Sequence, residues 1–239
     1  MYKAVKILVS VVFLFFALFF LADQLRESFS YERPQIDDYL ILEEVNQRRT
    51  LVEAPELSMS KELITVAEKK LEDMFYQNYF EHTSPDGKDV DHLAKEVGYE
   101  FILIGENLLQ GRFDNEEDVV QAWMDSPGHR ENILNERYME TGIASRYGDF
   151  LGKELFMSVQ VFAVPLDTCP EVDDALLKRI ENKEDLIDDL RSRMENEDNI
   201  TRYNNLVDQY NDTVSRITAV IEEYNAQIEA KKNCFSQFR

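Results

Sequence analysis

Two histidines and a glutamate in this chain of 239 residues have the side-chain chemistry of a polar cleft. His82 precedes a Ser-Pro-Asp-Gly turn signal, Glu106 follows a glycine, and His129 follows Pro127-Gly128. Proline and glycine interrupt regular helix, so we expect each of these side chains beside a turn or at a strand end. Neutral imidazoles and a carboxylate can bind zinc or transfer protons.

The composition excludes several other classes of protein. A formal net charge of -21 repels phosphate backbones, so we expect no nucleic acid partner. Three histidines and two cysteines are too few for a cysteine-rich zinc module or a scaffold with several disulfides. Cys169 and Cys234 are predicted to form one disulfide, which requires an oxidising compartment.

The N-terminal segment 1–22 is predicted to be a signal anchor. Lys3 and Lys6 precede the uncharged run from Ile7 to Ala22. At about 1.5 Å per helical residue, this run covers most of a ~30 Å hydrocarbon core. The lysines predict a single-pass helix with its N-terminus inside the cell and the rest on the extracytoplasmic face of the membrane. Cleavage of the segment as a signal peptide, giving a secreted protein, is the alternative.

After a polar linker (residues 23–35), the periodicity of apolar residues predicts helices first and strands later. The predicted elements are a helix from Asp37, a helix from Ser60 to about Asn78, a short helix over 90–97, a brief strand over 101–104, a helix from Asp114 that ends at Ser126-Pro127-Gly128, and an antiparallel hairpin of 141–147 with 154–164. This order is typical of an α+β fold rather than of repeated βαβ units.

The C-terminal segment 170–234 is predicted to be an α-helical hairpin or a coiled coil. Its apolar residues alternate at spacings of three and four, which is typical of a heptad seam. The seam consists of Ile200, Tyr203, Val207, Tyr210, Val214, Ile217, Ile221, Tyr224 and Ile228. A hairpin that turns near 195–199 would bring the two cysteines together, whereas one continuous helix would keep them apart and need a partner chain.

The region from Ile36 to Pro165 resembles the bacterial branch of the CAP superfamily, also called SCP or PR-1-like domains. Several motifs carry this resemblance, in matching order and spacing. They are Asn46–Arg49, Tyr79–Gly87, Gly98-Tyr99, Gly105–Leu108, Ala122–Leu134 and Val159–Phe162. The resemblance implies an α-β-α sandwich for residues 36–165.

The resemblance also implies a central cleft with two histidines and two acidic residues, which binds a divalent metal such as zinc in some members. His82, Glu106 and His129 occupy three of these positions, and Asn107 lies beside them. The fourth position, a glutamate in animal members, falls on Ser126, next to Asp125. The full set of four is therefore incomplete.

Three functional hypotheses follow. The first is a membrane-tethered extracytoplasmic CAP protein that binds a ligand, a cell-wall component or a protein partner through the cleft. The second is a metal-dependent hydrolase that uses His82, Glu106 and His129, with no serine or cysteine nucleophile motif evident. The third is a structural homo-oligomer assembled through the helical tail.

Overall fold

A computed structural model describes residues 34–238 of the chain. The predicted anchor (residues 1–22) and nearly all of the predicted linker lie outside the described residues. Between residues 34 and 238, no helix is both long enough and apolar enough to cross a membrane.

A four-stranded mixed sheet forms the centre of the fold. The strands are β1 (Ser58–Met59), β2 (Phe101–Gly111), β3 (Glu140–Phe150) and β4 (Lys153–Pro165). Their order in the sheet is β1-β3-β4-β2, in which only the β1–β3 pair is parallel. The long β3–β4 hairpin confirms the antiparallel hairpin predicted for 141–147 with 154–164. Strand β2 lies at an edge of the sheet.

Helices cover both faces of this sheet. They are α1 (Asp38–Thr50), α2 (Lys61–Gln77), α3 (Val90–Glu96), α4 (Glu116–Asp125) and α5 (Pro127–Leu134). One core lies between the sheet and the α2–α3 layer, and a second lies between the sheet and α1, α4 and α5. Because both faces are buried, Met157 and Phe162 of β4 are fully enclosed on opposite sides. The sheet and its two helical layers form an α+β sandwich, as the resemblance implied.

Local side-chain chemistry explains where the helices begin. The Asp37 carboxylate accepts from the Tyr39 amide at 2.8 Å and so caps α1. Ser60 occupies the predicted N-cap position of α2, but its hydroxyl makes no cap hydrogen bond. The predicted start of α4 at Asp114 is one residue early, because the Asn115 side chain accepts from the Asp118 amide at 2.9 Å.

Two expectations about the site segments were wrong. Strand β2 continues through Glu106 and Asn107 to Gly111, so these residues lie in mid-strand, paired with β4. Pro127 occupies the first turn of α5 rather than beginning an irregular loop, and His129 is therefore helical. Proline is well tolerated there because the first amides of a helix have no partner within the helix.

The tail contains two helices that pack on each other, α6 (Asp174–Glu195) and α7 (Ile200–Ser236). Their shared core includes Leu176 and Ile180 of α6 and Ile217 and Val220 of α7. The predicted seam is confirmed at Ile217, which is buried, but Leu206, Thr213 and Val220 are buried as well, while their predicted neighbours Val207, Val214 and Ile221 are half-buried. Ile200, at the start of the predicted seam, is 70% exposed.

The predicted disulfide between Cys169 and Cys234 is present, with 5.7 Å between the two Cα atoms. It joins the residues just before α6 to the C-terminal end of α7. The amide of Asp173 also donates to the Gln227 side chain at 2.8 Å. Together these contacts hold the start of α6 against the end of α7.

Candidate functional site

His82 and Glu106 form the central pair of the candidate site. His82 Nδ1 and Glu106 Oε2 share a hydrogen bond of 2.7 Å. The side chain of Glu106 is only 4% exposed, whereas that of His82 is 62% exposed. The pair therefore places a nearly buried carboxylate behind an accessible imidazole.

Lys70 of α2 holds the loop that carries His82. Its ammonium group donates to the carbonyls of Glu81 and His82, at 2.8 and 2.7 Å, and to the Tyr79 hydroxyl at 3.2 Å. Burial lowers the pKa of Lys70, partly opposed by the negative charge of Glu106. The buried lysine thus fixes the loop backbone with three hydrogen bonds.

Two asparagines attach α5 to strand β2. Asn107 Nδ2 donates to the His129 carbonyl at 3.0 Å. Asn132 Nδ2 donates to the Glu106 carbonyl at 3.2 Å and to Asn107 Oδ1 at 2.9 Å. The site consequently combines His82, from the loop after α2, with His129, from the first turn of α5, on either side of the edge strand.

Arg49 supports the far end of α5. This side chain is fully buried and, among residues 34–238, donates to four main-chain carbonyls, those of Pro55, Ile133, Asn135 and Tyr138. Two of these carbonyls end α5, where a cation also complements the negative end of the helix dipole.

Tyr138 approaches strand β2 beside the site. A Cβ added to Gly105 would overlap the Tyr138 hydroxyl, so a side chain at this position cannot be accommodated without movement. The glycine before Glu106 is therefore required by close packing rather than by a turn.

The environments of the two histidines shift their pKa values in opposite directions. The hydrogen bond to Glu106 raises the pKa of His82 above its ordinary value. Burial, and then the nearby charge of His82, lower the pKa of His129. His129 Nδ1 and Glu106 Oε1 are both buried, and neither has a hydrogen-bond partner among the described residues. Both atoms therefore lack the hydrogen-bond partner that a buried polar atom usually has.

The structure brings together His82, Glu106, Asn107 and His129, but Asp125 and Ser126 have other roles. Asp125 is exposed and accepts from Gln121 at 2.8 Å. Ser126 joins α4 to α5, and its side chain makes no cap hydrogen bond. Neither residue supplies a second acidic group to the pair of histidines.

Sequence reasoning missed the supporting residues Lys70, Asn132, Arg49 and Tyr138. Arg49 and Asn132 lie within the motifs that carried the family resemblance. Lys70 had a physical signal, since it falls on the apolar stripe of α2 with Val66, Ala67 and Met74. A lysine on such a stripe is buried only if its charge finds partners.

The donor set does not fit the metal site that the resemblance implied. Between residues 34 and 238, no three His, Cys, Asp or Glu side chains are grouped so that they could hold a metal ion. Glu106 orients His82 through Nδ1, as carboxylates behind ligating histidines do. With Glu106 in this orienting role, the imidazoles of His82 and His129 are the two possible metal ligands of the site. Catalytic zinc sites have three protein ligands.

A sheet between two helical layers, with Glu106 in the edge strand and His82 and His129 beside it, defines the class of this domain. It is a CAP-type domain. The model of the Cysteine-rich secretory protein (CAP) family matches residues 42–162, just over half of the chain. The chain belongs to this family.

The relatives share only part of their length with this chain. The uncharacterized protein YkwD of Bacillus subtilis (strain 168) is 35% identical over 103 residues, which are 43% of this chain and 40% of YkwD. The uncharacterized membrane protein YlbC of the same strain is 33% identical over 72 residues, or 30% of this chain and 20% of YlbC. The fold is also similar to the crystal structure of an extracellular protein containing an SCP domain from Bacillus anthracis str. Ames, with a TM-score of 0.45 and 27% sequence identity. That match covers 53% of this chain and 39% of the other.

Proposed function

We propose that this protein is an extracytoplasmic CAP-domain protein, held at the membrane by residues 1–22, that binds a cell-wall component through its cleft. The observation that carries this proposal is the Glu106 carboxylate. One of its oxygens is bonded to His82, and the other is buried without a partner among the described residues. A buried charged acceptor is costly unless a hydrogen-bond donor satisfies it, and a polar ligand would supply that donor.

Two further observations support the location. The Cys169–Cys234 disulfide requires an oxidising environment, which the extracytoplasmic side of a membrane provides. The uncharged run from Ile7 to Ala22 behind two lysines is the predicted anchor. The tail would then act as a spacer or as a surface for a protein partner.

The proposal is tested by co-sedimentation of the detergent-solubilised full chain with purified peptidoglycan sacculi. We expect the parent chain to sediment and Glu106→Gln to remain in the supernatant, because the amide replaces the charged acceptor while keeping its shape. Asp125→Asn is the matched control, since this exposed carboxylate lies outside the cleft. Equal sedimentation of all three chains, or of none, would contradict the proposal.

A metal-free hydrolase at the same cleft is the second candidate. The opposite pKa shifts of His82 and His129 favour it, since paired groups with separated pKa values can serve as proton donor and acceptor. Release of soluble fragments from the same sacculi by the parent, and its loss in His129→Ala, would establish hydrolysis. Activity that disappears with a chelator and returns with zinc would instead indicate a metal enzyme.

A further inference from the structure

The C-terminal end of α7 reaches back to the CAP domain. Phe238 packs against the core between the sheet and the α1, α4 and α5 layer. Its carbonyl accepts from Arg137 Nη1 at 3.0 Å. The last residue that the structure describes thus lies on the domain that contains the cleft, and the disulfide at Cys234 holds it nearby.

A continuous set of contacts leads from Phe238 to α5. Arg137 donates through its amide and through Nε to Asn135 Oδ1, at 3.1 and 3.3 Å. Asn135 ends α5, and its carbonyl accepts from the buried Arg49 at 2.9 Å. Each contact orders the segment that immediately follows the helix carrying His129.

The same segment also borders strand β2. Tyr138 follows Arg137 directly, and its hydroxyl packs against Gly105, the residue before Glu106. Asn132 of α5 bonds to the Glu106 carbonyl. Displacement of the segment after α5 would therefore change the spacing between His129 and Glu106.

We propose that Phe238, anchored by the Cys169–Cys234 disulfide, is a positioning residue that holds α5, and with it the His129 side of the cleft, against strand β2. The tail is then a structural part of the site rather than only a spacer. This inference concerns the cleft of the proposed function, but the arrangement that it describes exists without a ligand.

The test is nuclear magnetic resonance of the isotope-labelled full chain in detergent micelles. Phe238→Ala is expected to shift the ring signals of His129 and the side-chain amide signals of Asn132. His92 is an internal reference, because it bonds to Asp89 at the start of α3, in the other helical layer. If Phe238→Ala lowered only the overall stability, the His129 and Asn132 signals of the folded protein would not shift relative to those of His92.

Phe235→Ala is the matched control, since this phenylalanine lies three residues earlier, beside Lys231 of the same helix. Arg137→Gln is the second variant, because it removes the guanidinium group that donates to the Phe238 carbonyl and keeps the rings of Phe235 and Phe238. We expect Arg137→Gln to move the same signals and Phe235→Ala to leave them in place. Unchanged His129 and Asn132 signals in Phe238→Ala, or equal shifts in Phe235→Ala, would overturn the inference.

The sacculi assay separates the two proposals. If Glu106→Gln abolishes sedimentation and Phe238→Ala lowers it several-fold, both hold. If Phe238→Ala shifts the His129 signals but the parent never sediments, the positioning role stands without the proposed cell-wall ligand. If Phe238→Ala binds like the parent and shifts no cleft signal, the positioning role fails and the cleft function stands.

Discussion

His82 Nδ1 lies 2.7 Å from Glu106 Oε2, and this bond joins the loop after α2 to the edge strand of the sheet. The carboxylate is nearly buried, so it stabilises the protonated imidazole. His129, across the strand, is in an environment that favours its neutral form. The two histidines of the candidate site therefore have opposite protonation preferences.

We expect His82 to titrate above, and His129 below, the ordinary histidine pKa of 6.5. Glu106→Gln should lower the pKa of His82, because the amide cannot stabilise its positive charge. In the parent chain, His82 contributes stability at low pH, and this contribution is lost as the pH rises through its raised pKa. His129 adds stability at high pH that is lost as the pH falls through its lowered pKa. Histidine ring signals followed against pH measure both values, and a His82 pKa unchanged in Glu106→Gln would contradict the assignment.

Replacement of Lys70 with methionine should destabilise the loop that carries His82. The carbonyls of Glu81 and His82 would lose a buried donor, at a cost of about 1–3 kcal/mol in the free energy of unfolding. Lys69→Met is the control, because the neighbouring lysine is exposed. Urea denaturation measures both variants, and equal stabilities would show that the Lys70 bonds contribute nothing.

Gly105→Ala should destabilise the fold through overlap with Tyr138, by about 1–3 kcal/mol as in other overpacked cores. Tyr138→Phe removes the overlapping hydroxyl. Gly105→Ala should therefore lower the free energy of unfolding by less when residue 138 is phenylalanine. Gly128→Ala is the control, because a Cβ there meets nothing within 4 Å. Thermal unfolding of the four variants checks this, and an equal cost of Gly105→Ala in both backgrounds would exclude the hydroxyl as the cause.

Loss of the disulfide should lower the stability of the tail. The bond closes a loop with a sequence separation of 65, for which chain entropy predicts a loss of about 4 kcal/mol. We expect Cys169→Ser/Cys234→Ser to unfold at lower urea concentration, as measured by circular dichroism at a helical wavelength. Coincident urea transitions of the parent and the double variant would refute the prediction.

Local sequence patterns were sufficient for the elements with strong periodicity. The alternation over 154–164 predicted a strand in an antiparallel hairpin, and β4 (Lys153–Pro165) paired with β3 confirms it. The apolar stripe of α2 likewise predicted a helix that ends near Asn78, which adopts a left-handed conformation with a φ of 54°. Such patterns succeed because the helix and strand periods are intrinsic to the backbone.

Other features depended on contacts between distant segments. Asn107 lies in mid-strand because β4 pairs with it, although the glycine before Glu106 suggested a turn or a strand end. Val220 is buried beside the predicted seam residue Ile221 because the face of α7 turned toward α6, rather than the heptad pattern alone, decides which residues are buried. Local propensity carries no information about either partner.

By itself, the sequence determined the α+β class, the family and the pairing of the two cysteines, and it singled out three residues of the candidate site. Tertiary structure alone decided how those residues meet. The His82–Glu106 bond, the buried cations of Lys70 and Arg49, and the return of Phe238 to the CAP domain each join segments far apart in the chain. Burial and charge pairing across such distances arise only when the chain is packed, which is why no local pattern predicts them.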